Sequence, residues 1–144
     1  MGNSSFELIV RGVIRERNQI LVCKRKDRDY YFLPGGHIEF GEKSEDALIR
    51  ELNEELNISI KHFSFIGVVE NVFKEDDEIH HEVNLVFEVL TNKAEDKSRE
   101  DHIDFFFFDK KRFLKEKVLP PALKEAVIQW QKDKKIFWKS NSEI

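Results

Sequence analysis

The sequence predicts an α/β protein of the α+β type, in which helices cover a β-sheet. Two observations lead to this prediction. Short apolar segments alternate with polar turns over much of the chain, which is typical of strands. Two amphipathic helices are expected among them, one acidic and following a glycine-bearing loop, the other near the C-terminal end. The chain of 144 residues is expected to form a single domain over residues 1–144, with a core of its own.

The composition narrows the class of protein. Hydrophobic residues make up 40% of the chain and charged residues 36%, which suits a soluble, folded protein. A net charge of −4 without a long basic run makes binding of a nucleic acid polymer a poor expectation. No apolar run has the length of a membrane span, and the N-terminus does not resemble a signal peptide. We expect a cytoplasmic protein with no membrane partner, either a monomer or a homodimer.

The segment before the glycine-bearing loop is expected to form two strands and a basic cluster. The strands are expected at Phe6–Ile14 and Gln19–Arg25, joined by a polar turn. Between them they carry the only cysteine, Cys23, which excludes an internal disulfide and is expected to pack as a small apolar residue. The basic cluster consists of Lys24, Arg25, Lys26 and Arg28. An exposed strand end explains such a cluster without any function.

Residues 44–56 predict a short acidic helix. Ser44 is expected to be the N-cap, and Glu45 and Asp46 place negative charge in the first turn, where the helix dipole favours it. Asn57 suits the left-handed residue that ends a helix. The apolar stripe is expected to consist of Leu48, Ile49, Leu52 and Leu56.

Three glutamates of this helix predict a metal site. Glu51, Glu54 and Glu55 are related by i, i+3 and i+4, so they lie close together on one side of the helix. Their carboxylates repel one another, and partial burial of Glu55 strengthens the repulsion. Mg²⁺ relieves it, because this ion binds carboxylate oxygens and keeps several waters that a phosphate can replace. A solvated acidic face is the commoner origin of such a helix, but it does not explain Glu42 and Arg50 at fixed offsets after a glycine loop.

Residues 36–58 resemble the Nudix box, G-x5-E-x7-R-E-U-x-E-E-x-G-U, in which U is an aliphatic residue. The pattern is filled by Gly36, Glu42, Arg50, Glu51, Leu52, Glu54, Glu55 and Ile58. The single departure is Asn57, which stands where the family has glycine. Asparagine is the next most tolerant residue of a left-handed backbone, so we expect the turn to survive.

The resemblance implies a Nudix hydrolase, with an α/β/α sandwich whose mixed sheet lies between helices. It implies cleavage of a phosphoanhydride in compounds of a nucleoside diphosphate linked to a further group, with Mg²⁺ or Mn²⁺ as the cofactor. Attack by water on a diphosphate builds up charge that metal ions offset, which agrees with the glutamates. The alternative is a catalytically inactive Nudix-fold module that senses a ligand or binds a protein. Such modules usually lose box carboxylates, and this chain keeps all of them, so the enzyme is favoured.

The same resemblance suggests roles for individual residues. The expected metal ligands are Glu51, Glu54, Glu55 and the Gly36 carbonyl oxygen. Arg50 is expected to pair with Glu42, which would tie the loop to the helix, and to lie within reach of Glu54. The general base is left open between a box glutamate (Glu54 or Glu55) and a carboxylate elsewhere, the candidates being Glu82, Glu95, Glu100 and Asp101. Substrate binding is expected of His81 and, at the phosphates, of Lys24 or Arg25.

The chain after the box is expected to return to strands. Residues 58–73 are expected to be extended with a bulge at Gly67, and residues 74–78 to form a charged hairpin loop. His81–Leu90 alternates as a strand does, with Glu82, Asn84, Val86 and Glu88 on the face opposite Val83, Leu85, Phe87 and Val89.

The last third of the chain is expected to contain one more buried strand and two helices. Phe105–Phe108 could stack a nucleobase, but a strand buried on both faces is the favoured interpretation. Lys110–Lys115 is expected to form a short helix. Pro120 is expected to open a longer helix that reaches Trp130 and covers one face of the sheet.

The resemblance also favours a nucleoside triphosphate or another small nucleotide as the substrate. The ADP-ribose subfamily carries a proline about sixteen residues beyond the box, and the dinucleoside polyphosphate subfamily a tyrosine near there. This chain has Val72, Phe73 and Lys74 in that region. Residues 119–122 resemble a segment near the base pocket of MutT-like triphosphatases, where an asparagine follows and reads the purine. Here Leu123 follows, which cannot hydrogen-bond a base, so loose base selection is expected.

Overall fold

The computed structural model describes residues 4–91 and 101–144. Within these residues the chain forms eight strands and three helices. In chain order they are β1 (Ser4–Glu16), β2 (Gln19–Arg25), β3 (Tyr31–Phe32), β4 (Gly35–His37), α1 (Ser44–Leu56), β5 (Ile60–Glu75), β6 (Glu78–Thr91), β7 (Ile103–Phe108), α2 (Lys110–Lys115), α3 (Pro121–Asp133) and β8 (Phe137–Ser142).

The strands form a mixed sheet, as predicted. Its main path runs β3-β2-β1-β6-β5-β8, with β4 attached to β1 and β7 attached to β2. The pairs β1–β6 and β5–β8 are parallel, and the other pairs are antiparallel. The long strand β1 is shared, because its middle pairs with β4 and its end pairs with β2. The loop that precedes α1 is therefore attached to the central strand of the molecule.

Each face of the sheet has its own apolar core. On one face, strand residues pack with α3, and this core includes Val13, Val69, Val86, Leu123, Val127 and Trp130. On the other face, strand residues pack with α1, and this core includes Val10, Ile14, Phe87, Leu48, Leu52 and Leu56. We call these the α3 face and the α1 face. This arrangement confirms the predicted α/β/α sandwich.

Helix α1 differs from the prediction at its start and on its apolar side. Its N-cap is Lys43 and not Ser44, whose hydroxyl donates to Glu45 at 3.2 Å. Ile49 was expected on the buried stripe but is 45% exposed. Successive residues are about 100° apart around the helix axis, so Ile49 lies about 100° from the buried Leu48. Glu55, seven residues after Leu48, lies only about 20° from Leu48. The buried arc is therefore centred nearer Glu55 than the apolar residues alone suggest.

The end of α1 is as predicted. Asn57 has φ 53° and ψ 40°, and its backbone N–H donates to the Asn53 carbonyl. The conformation is left-handed, which is why glycine is the family residue at this position. Asparagine maintains it here.

The remaining elements follow the sequence closely. A register shift between Phe65 and Gly67 confirms the bulge, and the hairpin turns at Asp76 and Asp77, which both have positive φ. Strand β7 contains the four phenylalanines, and α2 spans the predicted residues. Helix α3 begins one residue later than expected, with Pro120 as its N-cap. None of the helices in the described residues has the length and apolar character needed to cross a bilayer.

Strand β6 differs from the prediction at Asn84. The residue was assigned to the polar face of the strand, but it has no exposed surface. The reason is that α3 covers this face as α1 covers the other, so both faces of β6 are buried along its middle. An amide in such a place requires hydrogen-bond partners.

Candidate active site

The glycines before α1 bring backbone and carboxylate into direct contact. Gly35 has φ 146°, and a Cβ on it would collide with the Val10 carbonyl of β1. A Cβ on Gly36 would lie 2.5–2.6 Å from the carboxylate atoms of Glu51. Any side chain at residue 36 would therefore displace this carboxylate. Glycine at residue 36 therefore allows the Glu51 carboxylate of α1 to pack directly against the backbone of the loop.

Arg50 ties the loop to the helix. Its Nε donates to Oε2 of Glu42 at 2.8 Å, and its Nη2 donates to Oε1 of the same carboxylate at 2.9 Å. Nη2 also donates to the His37 carbonyl at 3.1 Å. Nη1 donates to Glu51 at 2.9 Å and lies 3.5 Å from Glu54. The predicted pairing of Arg50 with Glu42 is confirmed.

The same contacts shift the pKa values of Glu42 and Arg50 so that both residues stay charged. The hydrogen bonds from Arg50, together with the backbone N–H of Glu39, lower the pKa of Glu42 to about 2. The bond to Glu42 is also the main reason why the pKa of Arg50 is raised, against the effect of burial. Glu42 is therefore an anion and Arg50 a cation at any ordinary pH, and the link between loop and helix does not titrate.

The three box glutamates share α1 but differ in exposure. The side chain of Glu51 is 16% exposed and that of Glu54 is 55% exposed, whereas Glu55 as a residue is 6% exposed. Among the residues that the structure describes, no three His, Cys, Asp or Glu side chains converge as a metal centre. The glutamates are thus brought to one side of one helix, but their carboxylates are not gathered in this conformation.

The donor set nevertheless fits a hard divalent cation. Carboxylate and carbonyl oxygens are the ligands that Mg²⁺ prefers. Arg50 contacts Oε1 of Glu51, and no described residue makes a hydrogen bond to Oε2 of this carboxylate. Glu51 could therefore stay paired with Arg50 and offer its second oxygen to a divalent cation.

The predicted substrate residues on β2 lie at its exposed end. The side chain of Arg25 is 47% exposed and forms an ion pair with Asp27 at 3.3 Å. Lys24 lies between Tyr31 of β3 and Asp104 of β7 in the sheet register. Within the described ranges, no hydrogen bond or ion pair joins either residue to the Nudix box.

His81, expected to bind substrate, and Glu82, a candidate for the general base, lie on opposite faces of the sheet. Neighbouring residues of a strand point to opposite faces of the sheet. Nε2 of His81 lies 3.1 Å from Oε2 of Glu70, and its ring lies 5.0 Å from that of Phe6. Glu82 instead accepts a hydrogen bond of 3.4 Å from Asn71, on the α3 face. Of the other general-base candidates, Asp101 is exposed, and Glu95 and Glu100 lie outside the described residues.

Sequence reasoning missed a second cluster beside the box loop. Glu7 accepts hydrogen bonds from Nε2 of His37 at 2.8 Å and from Nδ1 of His80 at 2.7 Å. Burial raises the pKa of Glu7, but the two histidine bonds outweigh it and the pKa is lowered. The bond to Glu7 raises the pKa of His80. Because His37 follows Gly36, this cluster joins the loop to β1 and β6.

Polar side chains on the α3 face were missed as well. Nε of Arg11 donates to Oδ1 of Asn84, which has no exposed surface. Asn71 is 6% exposed, donates to Glu82 and accepts from Asn141 at 3.3 Å. The sequence carried a signal for the first pair, since each of its members interrupts an otherwise apolar strand segment. Their pairing could not be read from the chain.

Comparisons with known proteins agree with this geometry. A family model described as NUDIX domain matches residues 7–131. An ADP-ribose pyrophosphatase from Methanocaldococcus jannaschii is 35% identical over 103 residues, which cover 69% of this chain and 60% of that protein. An 8-oxo-dGTP diphosphatase from Escherichia coli is 39% identical over 70 residues, which cover 45% of this chain and 54% of that protein. The matched segments thus span between half and two thirds of these relatives.

The fold has a similar counterpart among solved structures. The mutator MutT protein from Bacillus halodurans superposes with a TM-score of 0.75, covering 95% of this chain and 91% of that one. The two sequences are only 16% identical, so this likeness concerns the fold alone.

Proposed function

Because this chain belongs to the NUDIX domain family, we propose that it is a metal-dependent hydrolase. It cleaves a phosphoanhydride bond by attack of water in compounds built on a nucleoside diphosphate. The observation that carries the proposal is the guanidinium of Arg50, which holds Glu42, Glu51 and the His37 carbonyl in one arrangement. A solvated acidic helix has no need for such a link between loop and helix.

The proposed cofactor is Mg²⁺ or Mn²⁺. The proposed ligands are Glu51, Glu54, Glu55 and the carbonyl oxygen of Gly36. When bound, such an ion offsets charge on the phosphates and lowers the pKa of the attacking water. The direct contact between Glu51 and Gly36 and the all-oxygen donor set support this assignment.

The proposed roles of the other residues are positioning of Glu51 and acceptance of a proton from water. Arg50 and Glu42 position Glu51 and keep it paired, so they act on the architecture of the site. Glu54 is the most exposed of the three box glutamates, and we assign to it the acceptance of the proton from water. Glu82 lies on the α3 face with Asn71 and is the second candidate for this role. Comparison of Glu54→Gln with Glu82→Gln separates the two candidates. Only loss of the general base abolishes the increase of kcat with rising pH.

The proposed substrate is a nucleoside triphosphate or another small nucleotide. The two relatives are named for ADP-ribose and for 8-oxo-dGTP, and both compounds contain a phosphoanhydride within a nucleotide. The sequence lacks the proline and tyrosine of the ADP-ribose and dinucleoside polyphosphate subfamilies after the box. The expected role of Leu123 at the base is not supported, because this side chain has no exposed surface and packs in the α3-face core.

A metal-controlled assay on a substrate panel tests the proposal. Chromatography measures the nucleotide products formed from nucleoside triphosphates, ADP-ribose, nucleotide sugars and diadenosine tetraphosphate, with Mg²⁺, with Mn²⁺ and with EDTA. We expect turnover only with metal, and the highest kcat/KM for a triphosphate. A lead of about tenfold for ADP-ribose would replace the proposed substrate. Binding of these nucleotides without turnover would instead identify a ligand-sensing module.

A further inference from the structure

Arg11 is held in a fixed position on the α3 face of β1. It lies two residues before Val13 of the α3-face core, so the two side chains point to the same face. Nη1 of Arg11 donates to the Leu33 carbonyl at 2.9 Å, and Nε donates to Oδ1 of Asn84 at 3.4 Å. One contact with the segment between β3 and β4 and one with β6 thus fix the plane of the guanidinium.

Asn84 acts as the support for this arginine. Its Nδ2 donates to the Val69 carbonyl at 3.2 Å, so its oxygen must point the other way, toward Arg11. Asn84 has no exposed surface, and a buried amide is costly unless its groups are bonded. The amide of Asn84 makes both of its hydrogen bonds here, one to the Val69 carbonyl and one from the Arg11 guanidinium. Asn84 therefore positions Arg11, and does not itself reach a ligand.

The described partners of Arg11 are an amide oxygen and a backbone carbonyl, and neither carries the negative charge of a carboxylate. Within residues 4–91 and 101–144, it forms no ion pair with a carboxylate, and Nη2 makes no hydrogen bond. Arg15 lies four residues later on the same face and has such a partner, since its Nη2 lies 2.8 Å from Glu88. Partly buried arginines are generally paired. The outer edge of Arg11 is thus available to a ligand.

Arg11 lies next to the box loop and close to an aromatic ring. Arg11 is directly opposite Gly35 in the β1–β4 register, one residue from Gly36. Its guanidinium carbon lies 6.0 Å from the centre of the Phe32 ring. Helix α1, with the box glutamates, packs on the other face of the sheet. A group that reaches Arg11 on the α3 face therefore extends away from the glutamates, and the Phe32 ring beside the guanidinium suits a nucleobase better than a phosphate.

We propose that Arg11, positioned by Asn84, is a specificity-determining residue that donates hydrogen bonds to the base of the nucleotide. An arginine fork matches two adjacent acceptors, as O6 and N7 provide in guanine and hypoxanthine. Adenine presents an amino donor in place of O6 and leaves one arginine donor without a partner. The site therefore selects keto-purines over adenine. This inference rests on the proposed function, and it replaces the expectation of loose base selection that was based on Leu123.

The first test is kcat/KM for GTP, ITP and ATP under one metal condition. We expect GTP and ITP to exceed ATP by about tenfold or more, because a site built for a hydrogen bond rejects a base that cannot make it. Arg11→Lys keeps the charge but loses the fork, so the ratio should fall close to one. Asn84→Leu should reduce the ratio in the same direction. Arg15→Lys, on the same strand and face, should leave the ratio unchanged.

The second test is calorimetric binding of GMP, IMP and AMP in EDTA, which needs no catalysis. Tighter binding of GMP and IMP by wild type, and its loss in Arg11→Lys, supports the inference even for a protein that hydrolyses none of the triphosphates. Failure of the panel assay would then count against the proposed hydrolase only. An equal loss for all three bases in Arg11→Lys would assign Arg11 to a phosphate and overturn the inference. An unchanged ratio in a variant that melts like wild type would overturn it as well.

Discussion

Arg50 and Glu42 form a two-point ion pair, with Nε 2.8 Å from Oε2 and Nη2 2.9 Å from Oε1. Eight residues separate them in the chain, and they join the loop after β4 to the second turn of α1. The geometry requires the planar fork of arginine, because one guanidinium also bonds the His37 carbonyl and Glu51. The position of Glu51 in front of Gly36 thus depends on side-chain shape as well as on charge.

Arg50→Lys should therefore damage both stability and activity. Lysine retains the charge but cannot bond Glu42 at two points and reach the His37 carbonyl as well. We expect the melting temperature in EDTA to fall by a few degrees, and metal-dependent kcat/KM to fall by about tenfold to a hundredfold because Glu51 loses its position. Arg28→Lys is the matched control, since its ion pair with Glu75 at 3.9 Å is exposed. Wild-type behaviour of Arg50→Lys in both measurements would contradict the role given to this network.

Glu55→Gln should separate catalysis from folding. Glu55 is 6% exposed and lies in the middle of the buried arc of α1, where an anion is costly without a cation. Loss of its charge should lower metal-dependent turnover by about a hundredfold or more. In EDTA the variant should melt no lower than wild type. Glu45→Gln, in the exposed first turn, should retain its activity. Full turnover by Glu55→Gln would remove this residue from the metal site.

Asn57→Gly should be neutral or slightly stabilising. The left-handed backbone at φ 53° is strained for asparagine but not for glycine, which favours the glycine variant. Glycine also has greater conformational freedom in the unfolded chain, which disfavours folding. The two effects nearly cancel, so the free energy of unfolding should change by less than about 1 kcal/mol. Asn57→Ala should destabilise by about 1 kcal/mol, because alanine tolerates this conformation poorly. Urea unfolding of both variants measures the difference. Greater stability of the alanine variant would contradict the conformational argument.

The pair of Glu7 with His80 should make stability depend on pH. The pKa of His80 is raised above its ordinary 6.5, so its contribution is fully present below about that pH and is lost as the pH rises through the raised value. The pKa of Glu7 is lowered from 4.5, so its contribution is lost as the pH falls through the lowered value. The stability advantage of wild type over His80→Gln should therefore peak between about pH 4.5 and 6.5.

Urea unfolding at a series of pH values measures this advantage. His62→Gln serves as the control, because His62 is an exposed residue of β5. Its stability should follow wild type across the whole range. An advantage of wild type over His80→Gln that stays constant from pH 4.5 to pH 8 would show that the pair does not titrate as described.

The sequence by itself determined what depends on near neighbours in the chain. Helix periodicity places Glu51, Glu54 and Glu55 on one side of α1, and this holds for any fold that contains the helix. The left-handed Asn57 and the charged turn at Asp76 are equally local. The Arg50–Glu42 pair was expected from the resemblance to the Nudix box, in which these two positions are fixed by the sequence pattern. Two local features of α1 were predicted wrongly. The N-cap is Lys43 and not Ser44, and Glu55 is more buried and Ile49 more exposed than expected.

The tertiary structure alone decided what depends on strand order and register. Arg11 and Asn84 are 73 residues apart in the chain, and they meet because β1 and β6 are parallel neighbours in a particular register. The same register sends His81 to the α1 face and Glu82 to the α3 face, and a shift of one residue would exchange them. The sequence of one strand shows that its side chains alternate between two faces. It does not show which face packs against α1 and which against α3.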